Sequence, residues 1–132
     1  MNLTVNEFTT PCPLVISTET TVIEAFEMMQ KEGIHHLPVS ENGQIKGVVS
    51  DRDLRLLTVG PGEKTPVGNL ISGETFSIHR NTSLEDAALE MGNKRVGSLL
   101  VTDNHGEVEG IFTVTDALNA LVEVIRDVET GK

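Results

Sequence analysis

Hydrophobic residues along the chain follow a helical spacing twice, at matching places in its two halves. In each half, four apolar residues stand at positions i, i+3, i+4 and i+7, the stripe of a half-buried helix. The two sets are Val22, Ala25, Phe26 and Met29, and Leu84, Ala87, Ala88 and Met91. A helix-start signal precedes each stripe, Thr21-x-x-Glu24 in the first half and Ser83-x-x-Asp86 in the second. Because the hydroxyl can accept a backbone N–H and the acid favours the positive helix end, both stripes are predicted to be α-helices.

Two short apolar runs separated by a turn follow each predicted helix. The runs span residues 34–39 and 45–49 in the first half, and residues 96–101 and 108–112 in the second. Asn and Gly stand in both turns and tolerate positive φ, so each pair of runs is predicted to form a β-hairpin. A last helix is predicted after each hairpin, at about residues 53–59 and from Asp116 to about Val128. Residues 60–66 contain Gly and Pro and are predicted to link the halves.

The two halves are copies of one unit. A shift of 62 positions aligns them up to His105, and a shift of 63 aligns them beyond it. Aligned pairs include Met29 with Met91, Leu37 with Leu99, Gly47 with Gly110, and Asp53 with Asp116. The repeat divides the chain into residues 1–62 and residues 63–132. One such unit buries little surface alone, so the two are predicted to pack through their sheets. The predicted fold class is α/β (α+β), two β-α-β-β-α units with pseudo-two-fold symmetry.

Composition limits the classes of partner. The 132 residues include 20 acidic and 10 basic side chains, for a net charge of −10. Such a surface repels nucleic acid and anionic lipid, whose phosphates bind clustered Lys and Arg. The chain has no apolar run of membrane-spanning length, no signal-peptide pattern at its N-terminus, and a single cysteine, Cys12, which cannot form an internal disulfide. These features predict a cytoplasmic protein that binds neither nucleic acid nor membrane.

Two motifs in each unit resemble those of the cystathionine β-synthase (CBS) domain. In the first unit they are Gly33-Ile34-His35-His36-Leu37-Pro38-Val39 and Gly47-Val48-Val49-Ser50-Asp51-Arg52-Asp53-Leu54. In the second unit they are Val96-Gly97-Ser98-Leu99-Leu100-Val101 and Gly110-Ile111-Phe112-Thr113-Val114-Thr115-Asp116-Ala117. From about Val5 to Val124 the chain therefore resembles a tandem CBS pair, or Bateman module. The resemblance implies a regulatory module that binds adenine nucleotides in clefts between paired sheets. It requires no cofactor, and its candidate ligands are AMP, ADP, ATP, NAD and S-adenosylmethionine.

The Ser/Thr-x-x-Asp end of each motif suits an adenosine ligand. Asp53 and Asp116 each offer a carboxylate that can accept both hydroxyls of a ribose. Ser50, Thr113 and Arg52 offer contacts to phosphate. A slot for adenine is predicted at the apolar strand ends Leu14, Ile34, Phe76 and Val96. The same spacing is also a helix cap that needs no ligand, so both interpretations stay open.

The second unit departs from the pattern of the first at two positions. Leu100 stands where the first unit has Pro38, and Thr115 stands where it has Arg52, so a phosphate-binding cation is missing. The two clefts are therefore expected to differ in affinity. The remaining candidate site residues precede the first strand of each hairpin or begin it, namely His35, His36, Gly97 and Ser98.

His35 and His36 have three open interpretations: phosphate or cleft contacts, metal ligands, or ordinary packing. Adjacent residues on a strand point to opposite faces, and no further His, Cys or acid stands at zinc-ligand spacing, so no metal site is predicted. No base is positioned for Cys12, and the sequence contains no recognisable acid pair or triad, so no catalytic residue is predicted.

Two functions remain open from the sequence. The first is a ligand sensor, in which an adenosyl ligand shifts the packing of the units and an unidentified effector protein responds. The alternative is a structural dimerisation module with no physiological ligand. A homodimer is predicted because the last helix has a large apolar stripe, and Leu54 and Leu57 are expected to add a second patch. The stripe consists of Leu118, Leu121, Val122 and Ile125.

Overall fold

The computed structural model describes residues 3–12, 14–71 and 75–129 of two compact units. The central unit is Leu14–Thr75, and the terminal unit joins Met1–Pro13 to Phe76–Lys132. The strands are β1 (Thr10–Pro11), β2 (Ile16–Ser17), β3 (His36–Glu41), β4 (Gln44–Ser50), β5 (Ser77–His79), β6 (Ser98–Thr102) and β7 (Val108–Thr113). The α-helices are α1 (Val22–Glu32), α2 (Asp51–Arg55), α3 (Leu84–Lys94) and α4 (Val114–Glu129). Each unit contains the predicted β-α-β-β-α series, which confirms a mixed α+β fold, and β1 is an additional strand of the terminal unit.

The central unit contains a three-stranded sheet in the order β2-β3-β4. β2 and β3 are parallel, and β3 and β4 form the predicted hairpin, which turns at Asn42 and Gly43 with φ of 53° and 82°. α1 begins with the predicted capping box, in which Glu24 N donates to Thr21 Oγ1 at 3.3 Å and Thr21 N donates to Glu24 Oε1 at 3.0 Å. It ends at Gly33, whose φ of 67° is the left-handed conformation that closes a helix.

The core of the central unit is formed by α1, the sheet and the segment after β4. Its buried residues are Ile16, Val22, Ala25, Met29, Leu37, Val39, Val49, Leu54 and Val67. Leu54 is fully buried, and Leu57 is half-buried against the same core. The expectation that these two leucines form an exposed patch was therefore wrong. The exposed apolar residues of this segment are Leu56 and Val59.

The helix after β4 is also shorter than predicted. α2 spans Asp51–Arg55, whereas the sequence indicated about 53–59. Its start is set by Ser50, whose Oγ accepts a hydrogen bond from Asp53 N at 3.1 Å. The predicted linker contains a short 3-10 helix, Gly60–Lys64.

The terminal unit contains a four-stranded sheet in the order β1-β7-β6-β5. β5 and β6 are parallel, whereas β7 is antiparallel to both β6 and β1. β1 precedes the central unit in the chain, yet it pairs with β7, with Thr10 opposite Ile111. The sequence repeat assigns β1 to residues 1–62, whereas the compact units assign it together with residues 76–132. The two divisions of the chain differ because one follows the sequence repeat and the other follows the folded path of the chain.

The core of the terminal unit lies between α3 and its sheet. Its buried apolar residues are Val5, Ala87, Met91, Leu99, Val101 and Phe112. Ser83 caps α3 as predicted and accepts a hydrogen bond from Asp86 N at 3.1 Å. Ala88, which the helical spacing placed on the buried stripe, is exposed. The predicted hairpin of β6 and β7 is present, and Gly106 supplies its positive φ of 80°.

Candidate functional site

In each unit, the hairpin brings the start of its first strand beside the end of its second. In the central unit His36 lies opposite Ser50, and the next residue, Asp51, donates its N–H to the carbonyl oxygen of His35 at 2.9 Å. The terminal unit repeats this arrangement. There Ser98 lies opposite Thr113, and Val114 N donates to the carbonyl oxygen of Gly97 at 3.2 Å. The structure therefore brings together the predicted strand-start residues and the Ser/Thr-x-x-Asp motif within each unit.

The central motif forms a capping box with an exposed carboxylate. Ser50 N donates to Asp53 Oδ2 at 2.9 Å, and Asp53 N donates to Ser50 Oγ at 3.1 Å. Asp53 and Arg52 are both exposed. Among the described residues, Asp53 Oδ1 has no hydrogen-bond donor. The cap anticipated from the spacing is thus present, and it leaves one carboxylate oxygen open.

The terminal motif has the same spacing but a buried carboxylate. Asp116 Oδ2 accepts hydrogen bonds from Thr113 N at 2.9 Å and from Thr113 Oγ1 at 3.1 Å. Thr113 and Asp116 are 7% and 9% exposed. Thr10 of β1 donates a further hydrogen bond to Asp116, at 3.0 Å from Oδ1 and 3.2 Å from Oδ2. Thr115, at the position of Arg52, is exposed.

Thr10 is a site residue that sequence reasoning missed. The shift of 62 that aligns the two halves pairs Thr10 with Ser72, so both leading segments carry a hydroxyl at this place. That recurrence was a detectable signal, although it does not indicate which carboxylate a hydroxyl approaches. Ser72 lies outside the described residues.

Asp51 is a second residue that the sequence did not single out. Its Oδ2 lies 3.0 Å from His35 Nδ1 and 3.4 Å from an Arg55 guanidinium nitrogen. Partial burial acts to raise the pKa of Asp51, but the hydrogen bond and charge of His35, the backbone N–H of Arg52 and the charge of Arg55 together hold that pKa below its ordinary value. Val114 stands at the corresponding place in the terminal unit, so the Asp51 carboxylate with its His35 and Arg55 contacts distinguishes the two motifs.

The residues predicted to line an adenine slot are half-buried. Leu14 and Ile34 pack against the core of the central unit. Phe76 and Val96 pack against the core of the terminal unit. Lys94 Nζ lies 4.9 Å from the centre of the Phe76 ring, within cation–π range. Each of the four therefore contributes to packing and retains some accessible apolar surface.

The described parts of the chain contain neither a cluster of metal ligands nor a membrane-spanning helix. No group of three or more His, Cys, Asp or Glu side chains there is placed to hold a metal ion. No helix in the same residues is long and apolar enough to span a membrane.

The sequence model of the CBS domain matches the chain twice, at residues 5–60 and 67–123. The chain belongs to the CBS domain family. The resemblance drawn from the motifs is thereby confirmed. The chain is 35% identical over 103 residues to the CBS domain-containing protein YhcV of Bacillus subtilis. The matched region covers 76% of this chain and 73% of YhcV. It is 32% identical over 143 residues to a CBS domain-containing protein of Dictyostelium discoideum, with 97% of each covered.

A solved structure of a CBS-pair protein has the same fold. CBSX2 of Arabidopsis thaliana, in its complex with AMP, is 29% identical to this CBS chain and superimposes with a TM-score of 0.69. The comparison covers 92% of this chain and 98% of the CBSX2 chain. CBSX2 is therefore similar along almost all of both chains, and its bound molecule is an adenine nucleotide.

Proposed function

We propose that this CBS pair is a regulatory module that binds an adenine nucleotide, or a related adenosyl ligand, and catalyses no reaction. The observation that carries the proposal is the exposed Asp53 carboxylate. Its Oδ1 is open among the described residues, while Ser50 N holds Oδ2 at 2.9 Å. A side chain held by one oxygen and open at the other is oriented to accept hydroxyl donors from a ligand.

A nucleoside monophosphate suits the groups around Asp53. The vicinal hydroxyls of a ribose can both donate to one carboxylate. Arg52 is exposed on the same helix and can approach a phosphate, and His35 and His36 lie at the neighbouring strand start. Leu14 and Ile34 offer partly accessible apolar surface for a purine. AMP is the first candidate because the similar protein CBSX2 was solved with it. ADP, ATP, NAD and S-adenosylmethionine present the same adenosine and are the further candidates.

Calorimetric titration with AMP tests the proposal. We expect Asp53→Ala to weaken one site by roughly tenfold to a hundredfold, because it removes a charge-assisted hydrogen bond to the ligand. Asp116→Ala is expected to affect only the other site. Asp86→Ala is the matched control, since Ser83-x-x-Asp86 is a cap of the same spacing outside both motifs. AMP binding that is unchanged by both Asp53→Ala and Asp116→Ala would reduce the two carboxylates to helix caps.

The alternative is a structural module in which both motifs serve only as caps. The hydrogen bonds within Ser50-x-x-Asp53 and Thr113-x-x-Asp116 favour it, because they satisfy the helix starts without a ligand. The same titration separates the two functions. The sensor requires saturable AMP binding, and the structural module requires none.

We also propose a homodimer formed through α4. The apolar stripe predicted on this helix is exposed and extends by one further residue. Its members are Leu118, Leu121, Val122, Ile125 and Val128. A second copy of the chain presents the same stripe, so a two-fold contact covers both at once.

Leu121→Glu is expected to convert this dimer to a monomer, because it places a charge in the middle of the stripe. Light scattering at micromolar concentration measures the change in mass. Leu89→Glu on α3 is the control, because Leu89 and Leu121 are similarly exposed, at 54% and 52%. A wild-type mass of one chain, or a loss of dimer with Leu89→Glu alone, would contradict the assignment to α4.

We further propose that the protein is cytoplasmic and that an effector protein responds to its ligand. A single cysteine and a net charge of −10 agree with a reducing, aqueous compartment. A sensor that catalyses nothing must transmit occupancy by changing its contacts with another protein.

A further inference from the structure

The carboxylate of Asp116 is already engaged by a side chain 106 positions away in the chain. Thr10 Oγ1 donates to it, at 3.0 Å from Oδ1 and 3.2 Å from Oδ2. We infer that Thr10 gates the Asp116 motif. Its hydroxyl occupies the place from which a ribose hydroxyl would donate, so an adenosyl ligand must displace it. This inference rests on the proposed function and specifies which of the two motifs is filled first.

The remaining hydrogen bonds of Asp116 leave little capacity for a ligand. An ionised carboxylate accepts about four hydrogen bonds. Oδ2 receives Thr113 N at 2.9 Å and Thr113 Oγ1 at 3.1 Å, in addition to the longer contact from Thr10. Oδ1 receives Thr10 at 3.0 Å. Because a ribose brings two hydroxyl donors, the bond from Thr10 is the one whose release opens Oδ1.

The Asp53 carboxylate accepts fewer hydrogen bonds from the described residues than the Asp116 carboxylate does. Its carboxylate is exposed, and among the described residues only Ser50 N donates to it. Asp116 is 9% exposed, so contact with Thr10 and Thr113 replaces contact with water. Among the described residues, the two motifs thus differ in whether a distant side chain donates to the carboxylate, independently of the change from Arg52 to Thr115.

Thr10 is placed so that its hydroxyl can be released without opening the core. The residue is exposed, and β1 has two residues and lies at the edge of its sheet. Rotation of this exposed side chain about χ1 withdraws the hydroxyl from Asp116 while β1 stays paired with β7. Ligand binding at Asp116 is therefore coupled to the side-chain rotamer of Thr10.

The consequence is an order of occupancy. Replacing one hydrogen bond to an ionised group with another gains less than adding a new bond, by a factor of about ten in affinity. AMP is expected to fill the Asp53 motif first and the Asp116 motif at about tenfold higher concentration.

The test is an AMP titration by calorimetry on an Asp53→Ala background, which leaves Asp116 as the intact motif. Adding Thr10→Val removes the hydroxyl while keeping the shape of the side chain. This double variant is expected to bind AMP about tenfold more tightly than Asp53→Ala alone. Thr10→Ser on the same background retains the donor and is expected to leave the affinity unchanged. Circular dichroism melts confirm that the variants fold, and Thr10→Ala provides a second removal of the hydroxyl.

The outcomes separate the gate from the proposed function. If the Asp53→Ala/Thr10→Val double variant binds AMP no more tightly than Asp53→Ala alone, the gate is overturned, because the hydroxyl then does not compete with the ligand. Weaker binding would also overturn it and assign Thr10 the opposite role, that of positioning the carboxylate for the ligand. The wild-type protein tests the proposed function separately. If it binds AMP in a manner sensitive to Asp53→Ala, that function stands whatever the Thr10 variants show, and an absence of AMP binding in every protein overturns both.

Discussion

Gly110→Ala is expected to lower the free energy of unfolding by about 2–3 kcal/mol, because β1 packs against Gly110 and leaves no room for a Cβ atom. A Cβ at Gly110 would collide with Thr9 Cγ2 and lie 2.7 Å from the carbonyl oxygen of Thr10. The second atom belongs to the backbone and moves only if β1 separates from β7. For a chain of this size the melting temperature is expected to fall by roughly 10 °C, measured by circular dichroism.

Two other glycines provide matched controls for Gly110→Ala. Gly92 lies in α3 with no atom near the added Cβ, so Gly92→Ala is expected to stabilise the helix by about 0.5–1 kcal/mol. Gly47 is the repeat equivalent of Gly110, but its added Cβ meets the Ile71 side chain at 2.7 Å. That side chain can rotate, so Gly47→Ala is expected to cost less than Gly110→Ala. Equal stability of the Gly110→Ala and wild-type proteins would show that β1 does not pack on β7 in solution.

An adenine nucleotide is expected to raise the melting temperature by roughly 10 °C when its concentration is about 100 times its Kd. Binding to the native state alone contributes about 2.7 kcal/mol at that ratio. AMP is expected to act more strongly than GMP, because the hydrogen-bonding edge of guanine presents a different order of donors and acceptors from that of adenine. The chain has no Trp or Tyr, so circular dichroism, and not intrinsic tryptophan fluorescence, follows the transition.

The comparison of AMP, adenosine and GMP also separates the parts of the ligand. A smaller shift with adenosine than with AMP would assign affinity to the phosphate, and Arg52→Ala should abolish that difference at the Asp53 motif. Equal shifts with AMP and GMP would remove the preference for adenine. No shift with any adenine compound at millimolar concentration would leave the structural module as the function.

The sequence by itself determined the elements that depend on neighbours within about four positions. The hydroxyl of Thr21 and the carboxylate of Glu24 are one helical turn apart, so their capping box forms wherever that helix forms. The turn at Asn42 and Gly43 follows in the same way from the positive φ that these residues tolerate. The repeat of these local signals was enough to predict two β-α-β-β-α units and to identify the CBS motifs.

The tertiary structure decided the features that depend on the path of the chain. Leu54 looked like a surface residue of a short helix, but the position of α2 against the central core buries it. β1 stands before the central unit in sequence and joins the last sheet, which places the Thr10 hydroxyl on Asp116. No periodicity indicates a contact between residues 106 positions apart, because periodicity reports only which face of an element is apolar and not which distant segment covers it. The different contacts of the two carboxylates in the described part of the chain, exposed at Asp53 and bound by Thr10 at Asp116, therefore come from the fold and not from the motif that both share.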